Sequence, residues 1–238
     1  MIINAVSVKR ELKESANPEK AKAFARYFKT GRGEYGEGDK FIGLMSAGIG
    51  EMIRKYKGLP LSEIKKLLED EIHECRSIAL GILCDLYRRG ENKEKKIIVD
   101  FYLKNLKRVN NWDLVDGSAP SILGNFLLDK NKKILYKLVK SKNLWERRIA
   151  IMATFAFIKI NQFDDTFKIA EILLNNKEDL IHKAVGWMLR EVGKKDQKEE
   201  EKFLKKYAKT MPRTMLRYAI ERFPQEKRKY YLLQKSKN

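Results

Sequence analysis

Apolar residues recur every three or four positions along almost the whole chain, with Lys, Glu and Arg between them, and no sustained period-two alternation occurs. This pattern predicts an all-α protein. Asn17-Pro18-Glu19-Lys20 offers a side-chain oxygen to cap free N–H groups and a proline at the first helical position. A helix is therefore expected to open there and run through Phe24, Tyr27 and Phe28. Pro60-Leu61-Ser62-Glu63 starts another in similar fashion. Further helices are expected at about 41–57, 62–89 with a break near Asp70, 92–108, 112–127, 131–141, 144–160, 164–175, 178–194, 197–209 and 212–223.

Tight connections such as Gly90-Glu91-Asn92 and Asn175-Asn176-Lys177 suit antiparallel helix pairs stacked in an arc. The expected fold is an α-solenoid with a curved, basic concave surface, residues 1–238 forming a single helical-repeat domain. No strict repeat appears at the period of HEAT or TPR units, so the pairs would be diverged, and a compact helical bundle is the competing architecture. A glycine-rich loop, at about 29–40, interrupts the helices. Its Gly31-x-Gly33-x-x-Gly36 has the letters of a dinucleotide-binding turn, but a helix precedes the glycines where that motif needs a strand. A mobile loop is expected instead, with Arg32, Tyr35 and Lys40 available to a nucleic-acid backbone.

Charge narrows the partners. The chain has 238 residues, with 51 Lys and Arg against 32 Asp and Glu, a formal net charge of +19, and a pI near 9.7. Phosphate-rich partners are favoured, ahead of acidic proteins or anionic membrane surfaces. The basic C-terminal residues Lys202, Lys205, Lys206, Lys209, Arg213 and Arg217 are expected to form a solvated face. Only two cysteines occur, Cys75 and Cys84, on opposite faces of a predicted helix, which suits a reduced, cytoplasmic chain. With His73 and His182 the only histidines and no paired cysteine spacing, a metal site lacks ligands. Met1-Ile2-Ile3-Asn4-Ala5-Val6-Ser7 does not read as a leader, and no apolar run reaches the ~18 residues of a membrane span.

Candidate chemistry gathers around the three tryptophans. Trp112 and Asp116 are four residues apart, so on a helix an indole and a carboxylate share one face. Trp145, between Leu144 and Ile149, reads as a core residue, whereas Trp187 lies in the more polar Lys183-Ala184-Val185-Gly186-Trp187-Met188-Leu189-Arg190-Glu191. Asp113 sits where an acid stabilises the first turn of a helix, and that role is expected of it.

Four blocks together resemble the AlkD-type DNA alkylation repair glycosylases, which are built from HEAT-like repeats. They are Asn17-Pro18-Glu19-Lys20-Ala21 through Ala25-Arg26-Tyr27-Phe28-Lys29; Trp112-Asp113-x-Val115-Asp116-x-x-Ala119-Pro120-x-x-Leu123-Gly124; Trp145-x-x-Arg148-x-Ala150-Ile151; and Lys183-Ala184-x-Gly186-Trp187-x-Leu189-Arg190-Glu191. The resemblance implies hydrolysis of the N-glycosidic bond of N3- or N7-alkylated purines in double-stranded DNA. It assigns catalysis to Asp116 and DNA contacts to Trp112, Trp187, Arg148 and Tyr27. It implies no cofactor and no metal; no membrane partner, a monomer and a cytoplasmic location at the nucleoid are also expected. The chain departs from the family pattern at Phe41-Ile42-Gly43-Leu44-Met45-Ser46-Ala47, where many relatives carry a glutamine or arginine and then a proline. Composition alone leaves two other expectations open, a DNA-binding helical-repeat protein that breaks no bond and a protein-interaction scaffold.

Overall fold

A computed structural model describes residues 3–234, leaving Met1 and Ile2 of the N-terminal segment outside. Among the described residues the structure is all-α, and the only β pairing is a single bridge between Lys40 and Ile72. No helix among them is long and apolar enough to cross a membrane. The chain divides into two compact units between Ile122 and Leu123.

The first unit holds α1 (Ala5–Glu14), α2 (Pro18–Tyr27), α3 (Ser46–Lys55), α4 (Leu61–Leu68), α5 (His73–Arg89), α6 (Asn92–Lys104), a 3₁₀ turn (Leu106–Arg108) and α7 (Trp112–Ser118). Helix α5 is its axis, with α3, α4, α6 and α7 against it. Cys75, Ile78, Ala79, Leu80, Ile82, Leu83 and Tyr87 bury its apolar face. His73, Glu74 and Arg76 are buried as well, which an α-helix tolerates only where each polar group finds a partner.

For His73 and Arg76 one partner, Asp39, comes from the glycine-rich segment. It is a folded loop and does not hang free: Gly31 N–H and Gly33 N–H donate to the Glu34 and Glu37 carboxylates, and Gly36 N–H donates to the Lys29 carbonyl. Lys40 pairs through its backbone with Glu71 and His73, which brings Asp39 over the start of α5. Arg32 is exposed, Tyr35 donates to the Tyr27 carbonyl, and Lys40 forms an ion pair with Glu71.

The expected helix at 41–57 begins only at Ser46. The Glu74 carboxylate takes the N–H groups of Ile42, Gly43 and Leu44, so this stretch cannot donate along a helix. Gly43 adopts φ +90°, and a Cβ there would lie 2.3 Å from the Asn17 carbonyl oxygen, so the turn accepts glycine alone. The helix expected at 112–127 stops at Ser118 and gives way to a wider turn over Pro120–Gly124. Pro120 has no N–H to give the Asp116 carbonyl. Helix α1 was not among the expected helices, although Asn4 caps it and Ala5, Val8 and Leu12 bury one side.

The second unit holds α8 (Lys133–Leu138), α9 (Leu144–Ala153), α10 (Phe155–Lys159), α11 (Asp164–Leu173), α12 (Asp179–Lys195), α13 (Gln197–Tyr207), α14 (Arg213–Ala219) and α15 (Gln225–Leu233). Here α12 is the axis, contacted by α9, α10, α11, α13 and α14. Helix α15 was likewise unexpected from the sequence. Trp145 is buried in this core, as its apolar flanks suggest.

Candidate functional site

Asn111 opens α7 by accepting the Trp112 N–H on its side-chain oxygen, while its amide nitrogen donates to Asp39 at 3.1 Å. The helix start is thereby tied to the glycine-rich loop. Trp112, half-buried, lies nearly parallel to Phe28 with centroids 5.3 Å apart, and Tyr27 meets it edge-on at 5.9 Å. Phe28 stacks in turn on Phe41, and Phe41 on His73. Two of the expected site residues, Tyr27 and Trp112, thus form one aromatic cluster, with Tyr27 the exposed member at 66%. Asp116 sits one turn further along α7 than Trp112 and is half-buried.

Beneath the aromatic cluster lies a chain of ionisable side chains that sequence reading did not anticipate. Asp39 receives Arg76 Nη2 at 2.6 Å and faces His73 Nδ1 at 3.0 Å; His73 Nε2 faces Asp113 at 2.8 Å. A neutral imidazole donates from one nitrogen only, whereas both of these nitrogens point at carboxylate oxygens, so the imidazolium fits this geometry. Burial works against the charge on His73, but the Asp113 and Asp39 carboxylates outweigh it and raise its pKa above the ordinary value. Burial also opposes ionisation of Asp39; hydrogen bonding from His73 and the nearby Arg76 charge prevail and hold its carboxyl below the usual range. The expectation for Asp113 is met in position, since it occupies the first turn of α7, yet its carboxylate is engaged with His73. The second oxygen of Asp113 is buried without a hydrogen-bond partner among the described residues.

Helix α12 carries Trp187 in the second unit. Its indole N–H donates to Glu191 at 3.1 Å, one turn along the same helix, and its ring lies 6.5 Å from Phe155. Glu191 also binds Lys194 at 2.6 Å, so the indole is oriented by a carboxylate that is itself neutralised. Gly186 lets α14 come close: a Cβ would stand 2.4 Å from the Met215 carbonyl oxygen. Arg148 of α9 is only 4% exposed and donates to the Leu180 carbonyl, in the first turn of α12. Its guanidinium is thus engaged with the helix that bears Trp187. Among the C-terminal basic residues, Lys202 and Lys206 pair with Glu199 and Glu171.

Sequence and fold comparisons place these arrangements in context. A family model described as DNA alkylation repair enzyme matches residues 8–223. The fold resembles a solved structure described as a predicted DNA alkylation repair enzyme from Enterococcus faecalis. The TM-score is 0.70 at 19% identity, covering 88% of this chain and 97% of that one. It also resembles smu.31 from Streptococcus mutans UA159, with TM-score 0.50 and 18% identity over 90% of this chain and 95% of that one. No curated protein matches the sequence. With all but the two ends of the sequence matched and an all-α helical-repeat fold in common with a structure of that description, the chain belongs to the DNA alkylation repair enzyme family.

Proposed function

We propose that this protein is a DNA glycosylase that hydrolyses the N-glycosidic bond of N3- or N7-alkylated purines in duplex DNA, with Asp116 as the catalytic carboxylate. The observation that carries the proposal is the pairing of Trp112 and Asp116 on one turn of α7, each half-buried, in a chain of net charge +19 from a DNA alkylation repair family.

Alkylation at N3 or N7 already places a positive charge on the purine, so departure of the base needs little acid assistance. As the C1′–N9 bond breaks, its electron pair leaves with the base, which becomes neutral, and positive charge develops on the sugar. A fixed carboxylate stabilises that centre, and preorganised charge of this kind is commonly the largest catalytic contribution. Water then adds to C1′ and gives up a proton, for which Asp116 is the acceptor before release to solvent. The products are the free alkylpurine and an abasic site.

Indole faces attract cations, by about 0.5–2 kcal/mol per contact, which suits Trp112 to a charged sugar or base. Tyr27 extends the same aromatic surface. In the second unit the DNA contacts proposed are Trp187 and Arg148, a planar guanidinium being suited in shape and charge to a phosphate oxygen pair. Recognition led by the backbone implies weak sequence preference and an affinity that falls steeply with salt.

The test is release of methylated purines from alkylated duplex DNA by the purified protein beside its Asp116→Asn variant. The wild type is expected to release base, and the variant to bind DNA equally while its kcat falls by about 10²–10³. Salt-sensitive DNA binding by the wild type with no base released would instead mean a binding protein and would overturn the enzymatic reading.

A further inference from the structure

His73 lies outside every block that supports the family resemblance, yet both of its ring nitrogens are anchored, one of them to α7. Its side chain is 3% exposed, clasped between Asp39 of the loop and Asp113 of α7, with its ring against Phe28 and Phe41. Phe28 is the residue on which Trp112 stacks. Two routes therefore connect His73 to the proposed site: one through Asp113, the residue next to Trp112 and three before Asp116, and one through the aromatic stack.

We propose that His73 is a positioning residue for the glycosylase site, fixing the rotational setting of α7 so that Trp112 and Asp116 face the substrate. The proposal rests on the catalytic reading of Asp116 and names how that carboxylate is aimed.

Charge makes the device work. Each ring nitrogen of the imidazolium donates to one carboxylate, and among the described residues the other Asp113 oxygen is buried without a hydrogen-bond partner. Loss of the ring proton removes one donor and leaves a neutral ring between two carboxylates, so one clasp opens. The charged groups around the ring are few. Asp39 comes from the loop, Asp113 from α7 and Arg76 from α5 itself; Arg108 of the 3₁₀ turn acts on Arg76, and Phe28, just past the end of α2, contributes its ring. Arg76 gives its two terminal nitrogens to Asp39 and to the carbonyls of Asp70 and Glu71, while its Nε is buried without a hydrogen-bond partner among the described residues. A purely structural histidine would affect only how much protein is folded. A positioning histidine alters the reaction in the folded molecule, since misplacing a catalytic group by about 1 Å can cost about a hundredfold in rate.

The experiment has two arms on the intact protein. In the first, the ring signals of His73 and the indole N–H signal of Trp112 are followed by NMR while wild-type protein is titrated with base. The Trp112 signal is expected to move with the His73 titration; a Trp112 signal that holds still while His73 loses its proton overturns the proposal, and no variant need fold to see it. In the second, His73→Gln is compared with wild type in single-turnover base release and in binding to undamaged DNA. The folded variant is expected to lose about ten- to hundredfold in kcat with DNA affinity kept, and the wild-type rate to fall as pH rises through the His73 titration while the variant's does not. Equal rates, or parallel pH profiles, overturn it. The arms also separate the two readings: if wild type releases no base yet Trp112 follows His73, the glycosylase assignment fails while the coupling of His73 to α7 stands.

Discussion

Replacing Asp39 by alanine gives the sharpest measure of how the first unit is held together. Asp39 is 9% exposed and takes three hydrogen-bonding contacts, from Arg76, His73 and Asn111, at 2.6, 3.0 and 3.1 Å. Arg76 is 1% exposed and cannot shed its proton at accessible pH, so Asp39→Ala leaves a guanidinium buried with only the Asp70 and Glu71 carbonyls. Removing one partner of a buried ion pair costs about 3–5 kcal/mol, a large part of the ~5–15 kcal/mol by which a domain is stable. Asp39→Asn keeps an acceptor oxygen and loses the charge, and should cost about 1.5–3 kcal/mol, the range for hydrogen bonds to charged groups. Native-state hydrogen exchange of α5 amides reports the loss where it occurs, with α12 amides measured alongside.

Linkage sets how that loss depends on pH. Asp39's carboxyl is depressed in the folded protein, so the stability it contributes is fully present above its unfolded pKa and disappears as pH falls through the folded one. The deficit of Asp39→Ala relative to wild type should therefore be largest near neutrality and shrink in acid. Urea unfolding of both proteins at pH 7 and at about pH 3 checks the sign. A cost under about 1 kcal/mol at pH 7 would put this network in the class of exposed ion pairs, and a deficit that grew in acid would refute the account of Asp39 altogether.

Two further predictions concern the second unit. Gly186→Ala places a methyl 2.4 Å from the Met215 carbonyl oxygen and 2.5 Å from the Tyr218 Cβ, so overpacking should cost about 1–3 kcal/mol, read as a lower Tm. Glu200 is 1% exposed with one carboxyl oxygen unpartnered, and burial, aided by Glu201, pushes its pKa up to about 9. The folded state then holds a proton that the unfolded chain has released, so stability falls as pH rises from about 5 towards 9; urea titrations at pH 6 and pH 9 should show that fall in wild type and lose it in Glu200→Gln.

Whatever depended on neighbours in sequence was legible before the structure. Asn17 and Pro18 open α2 because capping is a contact between residues three apart, Lys20 N–H to the Asn17 side chain. Trp145 announced its burial through Leu144 and Ile149, and Asp70 its break, where its side chain accepts the Ile72 N–H. Helix α1 was equally readable, from Asn4 and the spacing of Ala5, Val8 and Leu12. Glu74 was not readable: its carboxylate unwinds residues 42–44 from 30 to 32 positions away. The same holds for Asp39, His73 and Asp113, separated by 34 and 40 positions, whose spacing resembles no short motif. A rule for helix dipoles placed Asp113 correctly, and long-range geometry supplied its partner.

Helix α7 has seven residues, whereas helices shorter than about 12–15 are marginal in water on their own. Its existence must therefore come from tertiary bonds, and its successive side chains show which. Asn111 caps it and reaches Asp39, Trp112 lies on Phe28, and Asp113 is clasped by His73. Leu114 and Val115 enter the core, and Ser118 binds both the Leu114 carbonyl and the buried Tyr102 hydroxyl. Because every turn is spoken for by a neighbour, the orientation of Asp116 is inherited from residues that need never touch DNA. Substitutions at Asp39, His73 or Tyr102 should then act on the Trp112 and Asp116 geometry from a distance, and a search for functional positions confined to groups that contact the substrate would pass over them.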